Sequence, residues 1–398
     1  MQHGSPVKIT VVGVGGGGCN AVDRMISVEL PDVRYVVLNT DGQALARSEA
    51  DKKIVLGGPR TRGLGAGGDP SRGAEAARQS SAEIADALKD ANLVFIAAGM
   101  GGGTGSGASS IVADIARSQA ALAIAVVTKP FSFEGFRRRQ VADEAIEELR
   151  EHADTLIVVP NDRLLSFISD KVTLDVAFRI ADDVLRQGIQ GISEVITRPG
   201  LINVDFADVR RIMTGGGTSL MSIAQAKGPE RALEAAQSAI ANPLVDTDSI
   251  AGATGILVNI VGGPEMTLHE AGLAVQHITE QASEDVDVIF GAAIDNAMGE
   301  KLQITLIATG IDGAAARAHR PALTLQPSAV EPAGGGNGGK ASRPLPRDFE
   351  ERLAQVRSPN PGQPAPQPRR ESAMRIPQPV SSSNLDVPTF LRRIRSSL

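Results

Sequence analysis

The sequence predicts an α/β protein: an N-terminal domain on a parallel sheet, a long central helix, a second α/β domain and a disordered C-terminal tail. Three observations carry that prediction. Short apolar runs alternate with helix-period segments through the first part of the chain, and the pattern from Thr173 to Thr197 stays helical throughout. Beyond Gly313 the periodicity stops, and Pro, Gly, Ser, Gln and Arg dominate from Pro321 to Ser383. Aromatics make up only 3% of residues, with no Trp and one Tyr, so Ala, Val, Ile and Leu must build the core. Forty-three glycines add many tight strand-to-helix turns.

Lys8–Val12, Val33–Leu38, Leu93–Ala98, Ala121–Thr128 and Thr155–Val159 read as strands ending in Gly, Asn, Thr or Pro. Helical patterns occupy Cys19–Ser27, Ala82–Asp90, Ser109–Ser118 and Gln140–His152. Strands apolar on both faces predict a parallel sheet covered on both sides, with ligand loops at the carboxyl ends. The long helix closes at Arg198-Pro-Gly200. Past it, strands Gly255–Val261, Val286–Ala292 and Gln303–Ala308 lie among helices Glu230–Ala241 and Leu268–Ala282. The predicted boundaries are 1–172, 173–202 for the helix and its loop, 203–312, a linker at 313–383, and a terminal segment at 384–398.

Composition narrows the function. A single cysteine, Cys19, excludes an intrachain disulfide framework and a Cys-cluster zinc site, and fits a reducing compartment. No secretion-type apolar segment and no bilayer-length run is present, so a soluble, cytoplasmic protein is expected. The net charge of −6 divides unevenly: the tail from Gly313 is basic and the rest acidic. An acidic body argues against nucleic acid as a ligand, whereas a basic tail suits an acidic partner or an anionic surface. The histidines show no metal-ligand spacing.

Three glycine loops carry the chemistry. Gly13, Gly15 and Gly18 satisfy G-x-G-x-x-G after the first strand, which alone would point to a dinucleotide-binding oxidoreductase. The unbroken run Gly15 to Gly18, a loop at Gly63-Leu-Gly-Ala-Gly-Gly68 and a third at Gly101-Gly-Gly-Thr-Gly-Ser-Gly107 supply more N–H donors than one pyrophosphate requires. They imply a nucleoside triphosphate. No Walker-type G-x-x-x-x-G-K-[ST] is present, so backbone amides and Mg²⁺ would offset most of the phosphate charge.

Gly101–Gly107 resembles the phosphate loop of the tubulin/FtsZ family of GTPases, its bacterial cell-division branch in particular. The resemblance spans about residues 7 to 312. It includes Asn39-Thr-Asp41, Gly63–Gly67, Thr128–Phe131, Phe133-Glu-Gly135, Pro160-Asn-Asp162, Thr197–Leu201 and Asn203–Asp208. It implies an N-terminal GTPase domain that binds GTP and GDP, with Mg²⁺ held mainly through the phosphates. The phosphate contacts it implies are Gly15, Gly16, Gly17, Gly18 and Asn20; Gly65, Ala66 and Gly67; and Gly101, Gly102, Gly103, Thr104 and Gly105. It implies ribose or base contacts at Glu134, at Asn161 and at Arg138, which stands between Arg137 and Arg139. Phe178 would stack on guanine, and Asp183 would accept hydrogen bonds from its N1–H and 2-amino group. A carboxylate matches that pair of donors, which adenine does not offer.

Asn203, Asp205 and Asp208 stand at the start of a predicted helix. Spacing alone reads as an N-cap with an acid near the helix dipole. From Asp183 to Thr197 is about 21 Å of helix, however, so these acids are too distant for their own nucleotide. The resemblance implies that they orient the attacking water in the next subunit's site, which makes the chain head-to-tail, filament-forming and active on assembly. It further implies that Asp386-Val-Pro-Thr-Phe-Leu-Arg-Arg393 recruits division-protein membrane adaptors, with indirect membrane contact and a midcell Z ring as the destination. Two alternatives stay open here: a nicotinamide or flavin oxidoreductase, and a GTP-binding scaffold that does not hydrolyse.

Overall fold

A computed structural model describes residues 7–311, apart from 29, 31, 59–62, 166–171, 198–199, 203, 242–249, 251 and 284. The predicted linker and terminal peptide lie outside the described residues, as does Asn203. All the described residues belong to one unit. Its strands are β1 (Ile9–Val14), β2 (Val33–Asn39), β3 (Lys52–Val55), β4 (Leu93–Gly99), β5 (Leu122–Lys129), β6 (Thr155–Pro160), β7 (Gly217–Lys227), β8 (Gly255–Gly262), β9 (Asp287–Ile294) and β10 (Lys301–Thr309). They form one sheet in the order β3-β2-β1-β4-β5-β6-β7-β10-β8-β9. The first six have the doubly wound order of a dinucleotide-binding fold, so strand order alone does not separate the competing readings.

β7 joins the two α/β halves. Its first residues pair in parallel with β6, Thr155 opposite Gly217, and its length pairs antiparallel with β10. β8 is antiparallel to β10 and parallel to β9, so β7, β8 and β9 all run in the direction of β1–β6. The second α/β half therefore continues the first sheet. Neither β7 nor β3 stands out as an apolar run. In β7, Thr218, Ser219, Ser222 and Gln225 interrupt the apolar positions. β3 is a four-residue edge strand with Lys52 and Lys53, and such charge protects an open edge.

The principal helices are α1 (Gly15–Ser27), α2 (Pro70–Gln79), α3 (Gly103–Ser118), α4 (Phe136–His152), α5 (Leu174–Thr197), α6 (Phe206–Met213), α7 (Arg231–Ile240) and α8 (Leu268–Glu280). Asp69 caps α2 by accepting from Ser71 N–H at 3.0 Å, with Pro70 at the first helical position. One sheet face is covered by α2, α3 and α4. The other takes α1 and α5, where Leu185, Ile189, Ile192 and Val195 bury against Phe95, Val126, Met221 and Ile307. α7 and α8 cover β7, β8 and β10. The buried guanidinium of Arg231 joins these two helices through Glu270, whose carboxyl its hydrogen bonds hold down to about 2. Among the described residues, no helix is long and apolar enough to cross a membrane.

Candidate active site

The described loop segments carrying the predicted nucleotide contacts adjoin the carboxyl ends of parallel strands β1, β2, β4, β5 and β6. The glycine runs are not free loops, however. α1 begins at Gly15 and α3 at Gly103, several residues before the starts read at Cys19 and Ser109. Close packing explains part of each run. A Cβ on Gly18 would lie 2.2 Å from the Ala97 carbonyl oxygen, and one on Gly105 would lie 2.6 Å from that of Gly99. Gly16 and Gly102 differ: a Cβ on either would meet no atom within 4 Å. Some glycines thus let the helices seat on the sheet, while others keep the outer surface bare. Gly18→Ala should cost about 1–3 kcal/mol of stability. Gly16→Ala should leave the melting temperature nearly unchanged and weaken nucleotide binding, which melting curves and GDP titration would separate.

The three loops converge. Thr40, just past β2, shares a 2.6 Å hydroxyl hydrogen bond with Thr104 in the first turn of α3. Gly65 N–H donates to Thr40 O at 3.0 Å, and a Cβ on Gly103 would lie 2.8 Å from that of Ala66. Gly101 N–H donates to Ser106 Oγ at 2.9 Å. Gly16, Gly17 and Asn20 lie together along one side of α1, with Gly16 and Asn20 exposed. The N-termini of α1 and α3 meet here, so free N–H groups and two helix dipoles favour an anion. Among the described residues, no group of three His, Cys, Asp or Glu could hold a metal ion.

Beside these turns, Arg138 pairs with Glu134 at 3.1 Å, and its backbone packs against Gly101. Arg139 pairs instead with Asp162. Of the three consecutive arginines, Arg138 is therefore the one packed against the Gly101 turn. Asn161 is buried, and its Oδ1 has no hydrogen-bond partner. An orphaned buried acceptor of this kind fits a site completed by a ligand. Phe178 remains 37% exposed, its ring set edge-on to Phe131 at 5.5 Å.

Asp183 does not join this group. Its carboxylate accepts from Arg186 at 2.6 Å and Gln187 at 2.7 Å, and those two residues line a cavity of about 360 Å³ against β7 and β10. Asp182 is four residues after Phe178 and shares its helix face. It pairs with Arg24 of α1 at 3.3 Å, and burial pushes its carboxyl up to about 6. Helical phase separates the two acids: i+4 from Phe178 shares its face, whereas i+5 turns away. Cys19 packs into the core, its thiol pushed up to about 12 by burial, which leaves it unreactive.

The acids occupy the other sheet edge. Asp205 caps α6, accepting from Ala207 N–H at 3.3 Å, and Asp208 in the first turn pairs with Arg211 at 3.6 Å. Arg211 also reaches Asp287, the first residue of β9, at 3.2 Å. Arg210 donates to Ala120 O just before β5, and Thr155 at the start of β6 donates to Met213 O at 2.5 Å. α6 is thereby fixed at the amino ends of β5, β6 and β9. About 20–25 Å of strand separates this edge from the glycine turns.

Comparisons with known proteins decide the family. Residues 8–169 match the GTPase domain of the tubulin/FtsZ family, and residues 217–312 match the C-terminal domain of the FtsZ family. An FtsZ dimer from M. jannaschii is 43% identical with a TM-score of 0.74, covering 78% of this chain and 90% of that one. The chain belongs to the tubulin/FtsZ family. A point mutant of M. jannaschii FtsZ is also 43% identical, with a TM-score of 0.74 over 77% of this chain and 92% of that one. A GTPγS-bound protofilament of CetZ2 from Haloferax volcanii shares the fold at 20% identity, with a TM-score of 0.66 over 78% and 97% of the two chains. As a tubulin/FtsZ GTPase, the chain binds GTP and GDP and belongs to a filament-forming family. The oxidoreductase reading falls here, since the GTPase domain accounts for the same Gly13–Gly18 turn.

Proposed function

We propose that the chain self-assembles head to tail and hydrolyses GTP to GDP and phosphate where two subunits meet. One observation carries this reading: the glycine turns and the acids occupy opposite edges of one sheet. Within one molecule Asp205 and Asp208 cannot reach the phosphates held at Gly16 and Gly102. Stacking in one direction brings the acidic edge of one copy onto the nucleotide edge of the next, and a contact that does not close builds a filament. Self-association is supported by a relative solved as a dimer and another solved as a protofilament.

In this reading the amides of Gly15–Gly18 and Gly102–Gly105 hold the phosphates, with Asn20, Thr104 and the Gly65–Gly67 turn beside them, while Gly101, its N–H committed to Ser106, shapes the turn. Glu134, Arg138 and Asn161 take the ribose and base edge, and Phe178 stacks on guanine. Asp182, in place of Asp183, accepts from guanine N1–H and the 2-amino group. Asp208 and Asp205 orient and polarise the attacking water, with Asn203 beside them in the sequence. Mg²⁺ bound through the phosphates would offset charge on their oxygens. Loss of the γ-phosphate weakens the subunit contact, so hydrolysis times disassembly. The proposal extends to a cytoplasmic role in a bacterial division ring at midcell, with membrane adaptors engaging Asp386–Arg393. The direct test measures phosphate release from GTP and ATP with Mg²⁺ present. Turnover of GTP well above ATP is expected. Tight GTP binding without turnover would leave a scaffold, and no GTP binding would remove the reading.

A further inference from the structure

We infer that Arg24 is a positioning residue for the base: reaching across from the helix that carries the phosphate turn, its guanidinium holds Asp182 on the neighbouring helix as the charged acceptor that the base needs. The inference rests on the proposed role of Asp182. Along α1, Gly17, Asn20 and Arg24 stand at i, i+3 and i+7 on one stripe, so Arg24 continues the side that faces the phosphates. Along α5, Phe178 and Asp182 form the matching stripe. Arg24 Nε donates to Asp182 Oδ2 at 3.3 Å, a contact between residues 158 positions apart. Asp182 Oδ1 keeps no partner among the described residues, which leaves an acceptor for the base.

The pair also controls charge. Arg24 from α1 and Asp183 from the same helix are the charged groups acting on Asp182. Burial raises its acid most, Asp183 adds to that rise, and Arg24 opposes both. Only the ionised carboxylate accepts from two guanine donors, so base affinity should fall as pH drops through about 6. Without Arg24, the same fall should begin at higher pH.

The test is GDP affinity of the full chain by titration calorimetry between pH 5.5 and 8.5, for wild type, Arg24→Gln and Arg24→Lys. In Arg24→Gln, affinity should drop about threefold at pH 6.5 yet stay within about twofold of wild type at pH 8.5, as a pKa raised by about one unit requires. Arg24→Lys keeps a charge and should follow the wild-type profile closely. Equal loss at every pH, no change at any pH, or a Lys variant as impaired as Gln at pH 6.5 would each overturn the inference. Failure of the wild type to bind GDP at pH 8.5 would overturn the nucleotide-site reading beneath it.

Discussion

Asp208→Ala should lower GTP turnover about 10²- to 10³-fold, the range expected when a group that orients or deprotonates water is removed. GDP affinity should stay within about twofold, because Asp208 lies at the edge opposite the glycine turns. The fold should survive: Asp208 is 51% exposed, and its pair with Arg211 is a surface contact worth at most about 1 kcal/mol. Asp205→Ala is a less clean probe, since it also removes the N-cap of α6 at a cost of about 1 kcal/mol. Mixing sharpens the experiment. Asp208→Ala subunits keep an intact nucleotide edge, and Gly16→Ala subunits keep intact acids. If the site is shared, the mixture should turn over GTP faster than either variant alone. Phosphate release from the variants, separately and mixed, checks this; wild-type turnover by Asp208→Ala would remove the acid from the mechanism.

Asp182→Asn should weaken GTP binding about 10- to 100-fold, the loss of one or two hydrogen bonds to a charged acceptor. Asp183→Asn should change it by no more than about threefold. The contrast follows from what each carboxylate touches. Asp183 is satisfied by Arg186 and Gln187 on the cavity side, whereas Asp182 faces α1 with one oxygen uncommitted. Removing a charged acceptor should also erode discrimination between guanine and adenine, because the base's two donors lose their match. Titration of both variants with GDP and ADP decides it. The reverse ranking would restore Asp183 as the base acceptor.

These cases show where the sequence was legible. Strands β1, β2, β4, β5 and β6 were plain because they are apolar on both faces, and α5 because its periodicity runs unbroken from Thr173. The glycine runs mark the ends of β1 and β4 but hide the helix starts at Gly15 and Gly103, because glycine reads as loop even where close packing demands it inside a first turn. β3 and β7 leave no apolar run for opposite reasons, one being short and charged, the other long but interrupted by hydroxyls. Continuity of the two halves through β7 was hidden as well, since pairing partners leave no local mark. Asp182 and Asp183 are adjacent identical residues, and only the helical phase from Phe178 or the contact with Arg24 tells them apart. The opposition of acids and glycines was anticipated by the length of α5, and the anchoring of α6 through Ala120, Thr155 and Asp287 supplied its physical basis.

The most direct test of the shared site is GTP turnover per molecule as protein concentration rises, with light scattering recorded in parallel. Turnover per molecule should be low below a threshold and climb steeply above it, together with scattering. Turnover per molecule that is constant across the range would mean each subunit hydrolyses GTP alone, and would contradict the account.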